Sequence, residues 1–167
     1  ETTEPYYLTW KESGLETDPV LDRAIVQLCR KDRFLELVHD FIVFDSGIKK
    51  TCRHNQYFGV KAAEDCMRRR EGGIIWHTQG SGKSLTMVWL AKWIRENIDN
   101  SRVLLLTDRT ELDEQLERVF LGVGERTIKR IRPEGGLSGG RVLMETLNRN
   151  EHSLICALVH KFGSSDW

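Results

Sequence analysis

The residues best suited to do chemistry lie together, His77-Thr78-Gln79-Gly80-Ser81-Gly82-Lys83-Ser84. Gly80 and Gly82 let the backbone bend until several N–H groups converge on one anion, the geometry that cradles a phosphate. Lys83 can then reach the β- and γ-phosphates of a nucleoside triphosphate as a point charge. The Ser84 hydroxyl is a hard oxygen ligand suited to Mg²⁺. Lys83 and Ser84 are the candidate catalytic residues, and Ser84 is the candidate metal ligand. Thr78, Gln79, Gly80, Ser81, Gly82 and Leu85 complete the candidate binding stretch. His77 stands where the general pattern G-x-x-x-x-G-K-[ST] has its first glycine.

Such a loop needs a strand to deliver it and a helix to receive it. The apolar run Ile74-Ile75-Trp76 predicts the strand, with Trp76 in the core. Leu85, Met87, Val88, Trp89, Leu90, Ala91, Trp93 and Ile94 predict a helix that is apolar on most sides and set deep in the fold. The helix adds the positive end of its dipole to the phosphate site. Further on, the unalternating run from Arg102 to Thr107 suits a parallel strand covered on both faces. Thr110 to Phe120 reads as a helix with Leu112, Leu116, Val119 and Phe120 on one side and Thr110 or Asp113 as its cap. Glycines 135, 136, 139 and 140 predict a loose loop, followed by a short helix near residues 141–147 and a buried strand over residues 154–159.

Ahead of the loop, Thr17-Asp18-Pro19 reads as a helix start, with Leu21, Ile25 and Leu28 facing inward. A second helix from about Asp32 would turn Phe34, Leu35, Val38, Phe41 and Ile42 to the core. Asp45-Ser46-Gly47 is a turn. A third helix from about His54 to Arg70 would bury Tyr57, Phe58 and Ala62 and end at Glu71-Gly72-Gly73. Helices alternating with strands define an α/β fold with a parallel sheet, ligand at the carboxyl ends of the strands.

Composition sets bounds. The 167 residues carry 25 basic and 25 acidic side chains, so net charge does not announce a nucleic-acid partner. Basic clusters occur at Lys49, Lys50 and Arg53, at Arg68-Arg69-Arg70, and at Arg126, Lys129, Arg130 and Arg132, and each reads first as a solvated face. No apolar run approaches the ~20 residues that cross a bilayer. The acidic start Glu1-Thr2-Thr3-Glu4-Pro5 has no signal-peptide pattern and reads as an internal point of a longer polypeptide. Four scattered cysteines form no C-x-x-C pair; Cys29 and Cys156 read as buried thiols, and the usage suits a reducing cytoplasm.

A phosphate loop alone does not choose among nucleotide enzymes. Its surroundings do: the segment from Gly73 to Met87, with Trp-His-Thr-Gln ahead of Gly-Ser-Gly-Lys-Ser, resembles the motor (R) subunit of type I restriction-modification enzymes. These are superfamily 2 helicase-like translocases, and the resemblance accounts for His77. It extends over about residues 34–163. The stretch from Arg53 to Val60 is similar to the approach to the family's Q motif, which implies that Gln56 reads the adenine edge, and an amide can donate and accept there at once. Leu106 to Leu116 is similar to the motif that touches the DNA backbone, which implies contacts from Thr107 and Arg109. Ala157 to Gly163 resembles the next such motif, bringing His160 and Lys161, although Ala157 and Leu158 stand where many relatives carry paired threonines.

The resemblance implies a RecA-like P-loop NTPase domain that uses ATP and Mg²⁺. It implies duplex DNA, methyltransferase and specificity subunits as partners, no membrane, and the cytoplasm of a bacterium or archaeon. Residues 1–52 would be a helical approach and 53–167 the N-terminal part of the first RecA-like domain. ATP hydrolysis in such motors also needs an acidic strand end, and this sequence has no Asp-Glu-x-His-like segment after an apolar run. The arginine finger and the nuclease carboxylates would likewise lie outside it, so the segment alone is expected to bind nucleotide weakly. Two other readings stay open: another superfamily 2 helicase or remodeller, and a non-motor P-loop enzyme.

Overall fold

Two groups of elements, each with its own core, make up the fold. The computed structural model describes residues 10–12, 19–149 and 151–162. One unit comprises residues up to 43 together with 49–89, the other residues 44–48 and 90 onward.

The first unit is organised around helix α3, His54–Arg68. Two helices precede it, α1 (Val20–Leu28) and α2 (Lys31–Asp40). Pro19 sits just before α1 and its carbonyl accepts from Arg23 N–H at 3.0 Å, while the expected capping residues Thr17 and Asp18 lie outside the described residues. The apolar faces expected of α1 and α2 are not the buried ones: Leu21, Ile25, Phe34, Leu35 and Val38 are exposed, whereas Gln27 is buried. The reason is a cation. The Arg33 guanidinium lies 5.9, 5.4 and 5.8 Å from the ring centres of Trp10, Tyr57 and Phe58 and pairs with Glu12. It also donates to the Gln27 carbonyl at 2.8 Å. Desolvated among rings, that charge turns the helices' polar sides inward. Phe41, Tyr57, Val60, Val88 and Trp89 form the apolar part of this core.

Ile42 leaves the second helix and opens strand β1 (Ile42–Asp45), which pairs with β2 (Ile48–Thr51). Ser46 (φ 52°) and Gly47 (φ 83°) make the turn between them. Past the end of helix α3 the chain turns at Arg70 (φ 58°), where Glu71 N–H closes back on the Cys66 carbonyl at 2.9 Å, before the expected Gly72-Gly73. Tyr57 is buried as expected; Ala62 is exposed.

Residues 74–76 do not form a strand. Among the described residues no strand pairs with them, and a lone segment cannot complete a ladder. Trp76 is therefore 89% exposed, not core, and Ile74 90%. The loop passes directly into helix α4, Lys83–Asn97, which buries Val88, Trp89, Ala91 and Ile94. The boundary between the units falls within α4.

The second unit is a parallel three-stranded sheet in the order β3 (Val103–Thr107), β5 (Leu154–Leu158), β4 (Ile128–Arg130). Central β5 is buried throughout. Its Ile155 and Ala157 pack with Val142 and Leu143 of α6 (Gly139–Arg149). Strand alternation turns Cys156 to the opposite side, where α5 (Thr110–Gly122) buries Leu116 and Phe120 and lies against all three strands. Parallel pairing of β3 follows expectation, but among the described residues β3 is an edge strand, and Leu106 is exposed instead of covered.

Other expectations give way to specific partners. Arg109 is the residue before α5, and neither Thr110 nor Asp113 caps the helix. Asp113 is buried and pairs with Arg130 of β4, a strand the sequence reading missed, and Glu114 and Glu117 also face that guanidinium. Arg130 is thus a core cation and not part of a solvated cluster. Leu112 is exposed. Gly139 and Gly140 lie inside α6 and not in a loop. The Lys161 stem runs so close that a Cβ on Gly139 would come within 2.8 Å of it. Cys156 is buried, but Cys29 is exposed. Among the described residues no helix is long and apolar enough to cross a membrane.

Candidate nucleotide-binding site

The phosphate loop is held in shape by its own polar groups. Gly80 (φ 77°) and Gly82 (φ 83°) take the left-handed conformation that turns successive N–H groups to one side. Gly82 is needed twice over, because a Cβ there would also run into the Gln56 amide. The Ser81 hydroxyl, buried with its residue, donates to the Thr78 carbonyl at 2.7 Å. Lys83 Nζ donates to the carbonyls of His77 (3.0 Å) and Thr78 (2.9 Å), so the ammonium arches over the loop it follows. The N–H groups of Leu85 and Thr86 already donate to the Gly82 carbonyl, at 3.1 and 3.2 Å. Those of Lys83 and Ser84 come before the first intrahelical bond, at a helix end with no acidic residue in its first turn.

The first turn of α3 grips this loop at three points. Arg53 donates from its guanidinium to the Gly80 carbonyl at 3.3 Å. His77 Nε2 lies 3.1 Å from the Asn55 carbonyl. Gln56 Nε2 donates to the Gly82 carbonyl at 2.9 Å while its Oε1 accepts Arg53 N–H at 2.8 Å. Gln56 is 3% exposed. Its amide thus spans the start of α3 and the turn of the loop, and one N–H remains to donate elsewhere. Beneath this turn, Glu36 accepts from Tyr57 Oη and Lys61 Nζ, both at 2.6 Å. Burial pushes the Tyr57 hydroxyl up, and the Glu36 bond adds to it. Burial opposes the Lys61 charge, yet bonds to Glu36 and Glu64 outweigh it and hold the ammonium's pKa above its ordinary value. The base of α3 is therefore a fixed, charged platform.

The residues expected to meet DNA lie in the second unit, at the carboxyl ends of neighbouring strands. Thr107 closes β3 opposite Leu158, which closes β5. His160 and Lys161 follow in a 3₁₀ turn, Val159–Phe162. Arg109 is exposed, with Asp108 at 3.6 Å as its ion-pair neighbour instead of Glu111 or Asp113. Thr107 is buried, and its hydroxyl has no hydrogen-bond partner among the described residues. The sequence reading missed Arg53, Asn55 and Gly59 as neighbours of the loop. A glycine inside a helical pattern, as in Tyr57-Phe58-Gly59-Val60, was the one available signal of close packing.

A glycine-turned loop ahead of a helix in the first unit, and a parallel sheet flanked by helices in the second, define the class. The SWI2/SNF2 ATPase family matches residues 55–166, more than half of the sequence, and the chain belongs to that family. The fold is that of a RecA-like ATPase domain, a parallel sheet flanked by helices. More particular relatives are proteins named as type I restriction enzyme endonuclease subunits. The HindI subunit of Haemophilus influenzae is 32% identical over 66% of this chain and 12% of its own. The subunit named MjaIXP of Methanocaldococcus jannaschii is 32% identical over 86% of this chain and 14% of its own. Another from that organism, named MjaVIIIP, is 31% identical over 72% of this chain and 13% of its own. The chain thus spans about one seventh or less of these curated relatives.

Proposed function

We propose that this chain is the ATP-binding part of the motor subunit of a type I restriction endonuclease, which moves duplex DNA and cleaves it away from the recognition site. The observation that carries the reading is the loop at residues 77–84, gripped by the first turn of α3 and continued by α4. The named relatives support the restriction context. The family match beginning at residue 55 supports a division into an approach over 1–52 and the first part of the motor domain over 53–167.

The residues fit a nucleoside triphosphate with Mg²⁺. The side-chain-less Gly82 and the N–H groups of Lys83 and Ser84 would form the phosphate cradle, and Ser84 supplies a hydroxyl of the type Mg²⁺ takes. Lys83 would exchange its bonds to the His77 and Thr78 carbonyls for phosphate oxygens. Mg²⁺, when bound, neutralises charge on the phosphates. Thr78, Gln79, Gly80, Ser81 and Leu85 line the same turn. Gln56 would carry nucleotide recognition into the loop through its bond to Gly82, using its remaining N–H toward the adenine edge. Arg109 and Lys161 would hold DNA phosphates. The buried Thr107 hydroxyl would need the strand end to open first. Methyltransferase and specificity subunits are the partners in this reading, and the cytoplasm its place.

The test is ATP turnover by the full-length polypeptide with its partner subunits, with and without long duplex DNA carrying the recognition site. Strong stimulation by that DNA supports the reading, and Lys83→Ala should abolish it; turnover indifferent to both would overturn it. Because the matching family is described as SWI2/SNF2 ATPases and not as restriction enzymes, another helicase or remodeller is the second reading. DNA-stimulated turnover with no cleavage by the complete complex would favour it.

A further inference from the structure

We infer that His77 is a positioning residue that fixes where the phosphate loop starts relative to α3, and so sets affinity for the nucleotide. The inference rests on the reading of this loop as the ATP site. The Asn55 carbonyl can only accept, so Nε2 of the ring carries the hydrogen in their 3.1 Å contact. The other ring nitrogen, Nδ1, is buried without a hydrogen-bond partner among the described residues. The ring therefore serves one polar contact, made at one edge.

Gly59 supplies the seat. A Cβ at this position would lie 3.2 Å from His77 Nε2, 3.4 Å from Cε1 and 3.5 Å from Ile75 Cγ2. Its backbone has no left-handed φ, so the helix itself does not call for glycine; the imidazole does. The main-chain carbonyl of the same histidine accepts from Lys83 Nζ at 3.0 Å. One residue thus joins α3 to the start of the loop through its ring and to the ammonium through its backbone. The other two grips, Arg53 to Gly80 and Gln56 to Gly82, hold the middle of the loop and leave its start to His77.

The glutamine amide nitrogen can occupy the place of the ring Nε2, whereas an asparagine amide reaches only the Nδ1 side. The full-length polypeptide is titrated with a fluorescent N-methylanthraniloyl ATP, and KM and kcat for DNA-stimulated hydrolysis are measured in parallel. Wild-type binding tests the reading of the site; absence of binding there would fail that reading before His77 is in question. Given binding, His77→Gly and His77→Asn should weaken it about fivefold, the worth of one hydrogen bond. The change should fall on KM more than on kcat, and His77→Gln should restore it. Gly59→Ala should weaken binding when His77 is present and not in the His77→Gly background, a comparison that survives if one variant folds poorly. Affinity unchanged in His77→Gly and His77→Asn, equal loss in the glutamine variant, or a Gly59→Ala effect independent of His77 would each overturn the inference.

Discussion

Replacing Arg102 by Met should loosen the second unit where β3 begins. The guanidinium donates to the Thr146 carbonyl at 3.0 Å, the Leu147 carbonyl at 2.6 Å and the His152 carbonyl at 3.2 Å. It therefore closes the C-terminal turn of α6 and ties down the connection into β5. Hydrogen bonds from a charged donor contribute about 1.5–3 kcal/mol each, and a cation at a helix C-terminus about 0.3–1 kcal/mol more. Helix-end carbonyls recover much of this from water once the arginine is gone, and methionine keeps the apolar stem. A net loss of ~2–3 kcal/mol follows. Because two units need not unfold together, amide hydrogen exchange at Thr146, Leu154 and Ile155 is a better probe than a global melt. Those amides should exchange ~30- to ~150-fold faster, by the conversion of ~1.4 kcal/mol per decade. Arg102→Lys should recover only part, since an ammonium lacks the planar fork. Exchange unchanged in the methionine variant, or full recovery by lysine, would refute the assignment of this residue as a three-point clasp.

Gly82→Ala should destabilise the loop by ~1–2 kcal/mol from its positive φ alone, and should further displace Gln56; ATP binding by the variant, with and without Gln56→Ala, separates the two contributions. Asp113→Ala should cost ~2–3 kcal/mol by urea denaturation of the second unit, less than a lone buried pair because Glu114 and Glu117 remain near Arg130; a loss no larger than that of a surface pair would contradict it. Burial pushes the Cys52 and Cys156 thiols up to about 12 from 9.0. The folded state then binds more protons than the unfolded one above pH 9, so this stability is complete below pH 9 and is lost as pH rises toward 12. Urea midpoints should fall across that window, less steeply in Cys156→Ala. At pH 8, iodoacetamide should modify exposed Cys29 and spare Cys156 in the native chain.

What could be read in the sequence was what is local. The turn at residues 77–84 and the helix after it depend on glycine conformation and one run of apolar residues; both form where the sequence puts them, although Met87 is exposed and the helix is less deeply set than expected. The failures share a cause: partners distant in sequence. Residues 74–76 carry the apolar pattern of a strand, but a strand exists only with a neighbour. The apolar stripe of α2 lost its inward place to Arg33, because Trp10, Tyr57 and Phe58 come together only in the fold. Asp113 looked like a capping residue until Arg130 arrived from a strand too short to announce itself. At the site, the grip between the first turn of α3 and the loop ends on the backbone carbonyls of Asn55, Gly80 and Gly82, which leave no mark on residue identity.

Residues 74–76 also bear on handling. A segment outside any strand with Ile74 and Trp76 turned to water is the kind of surface that seeds strand addition between molecules. The flanks oppose this: Arg68, Arg69, Arg70 and Glu71 stand on one side, and Gly72 and Gly73 disfavour a longer flat edge. Replacing those arginines by neutral residues would remove the gatekeepers, and the first symptom should be precipitation during concentration, ahead of any change in nucleotide chemistry.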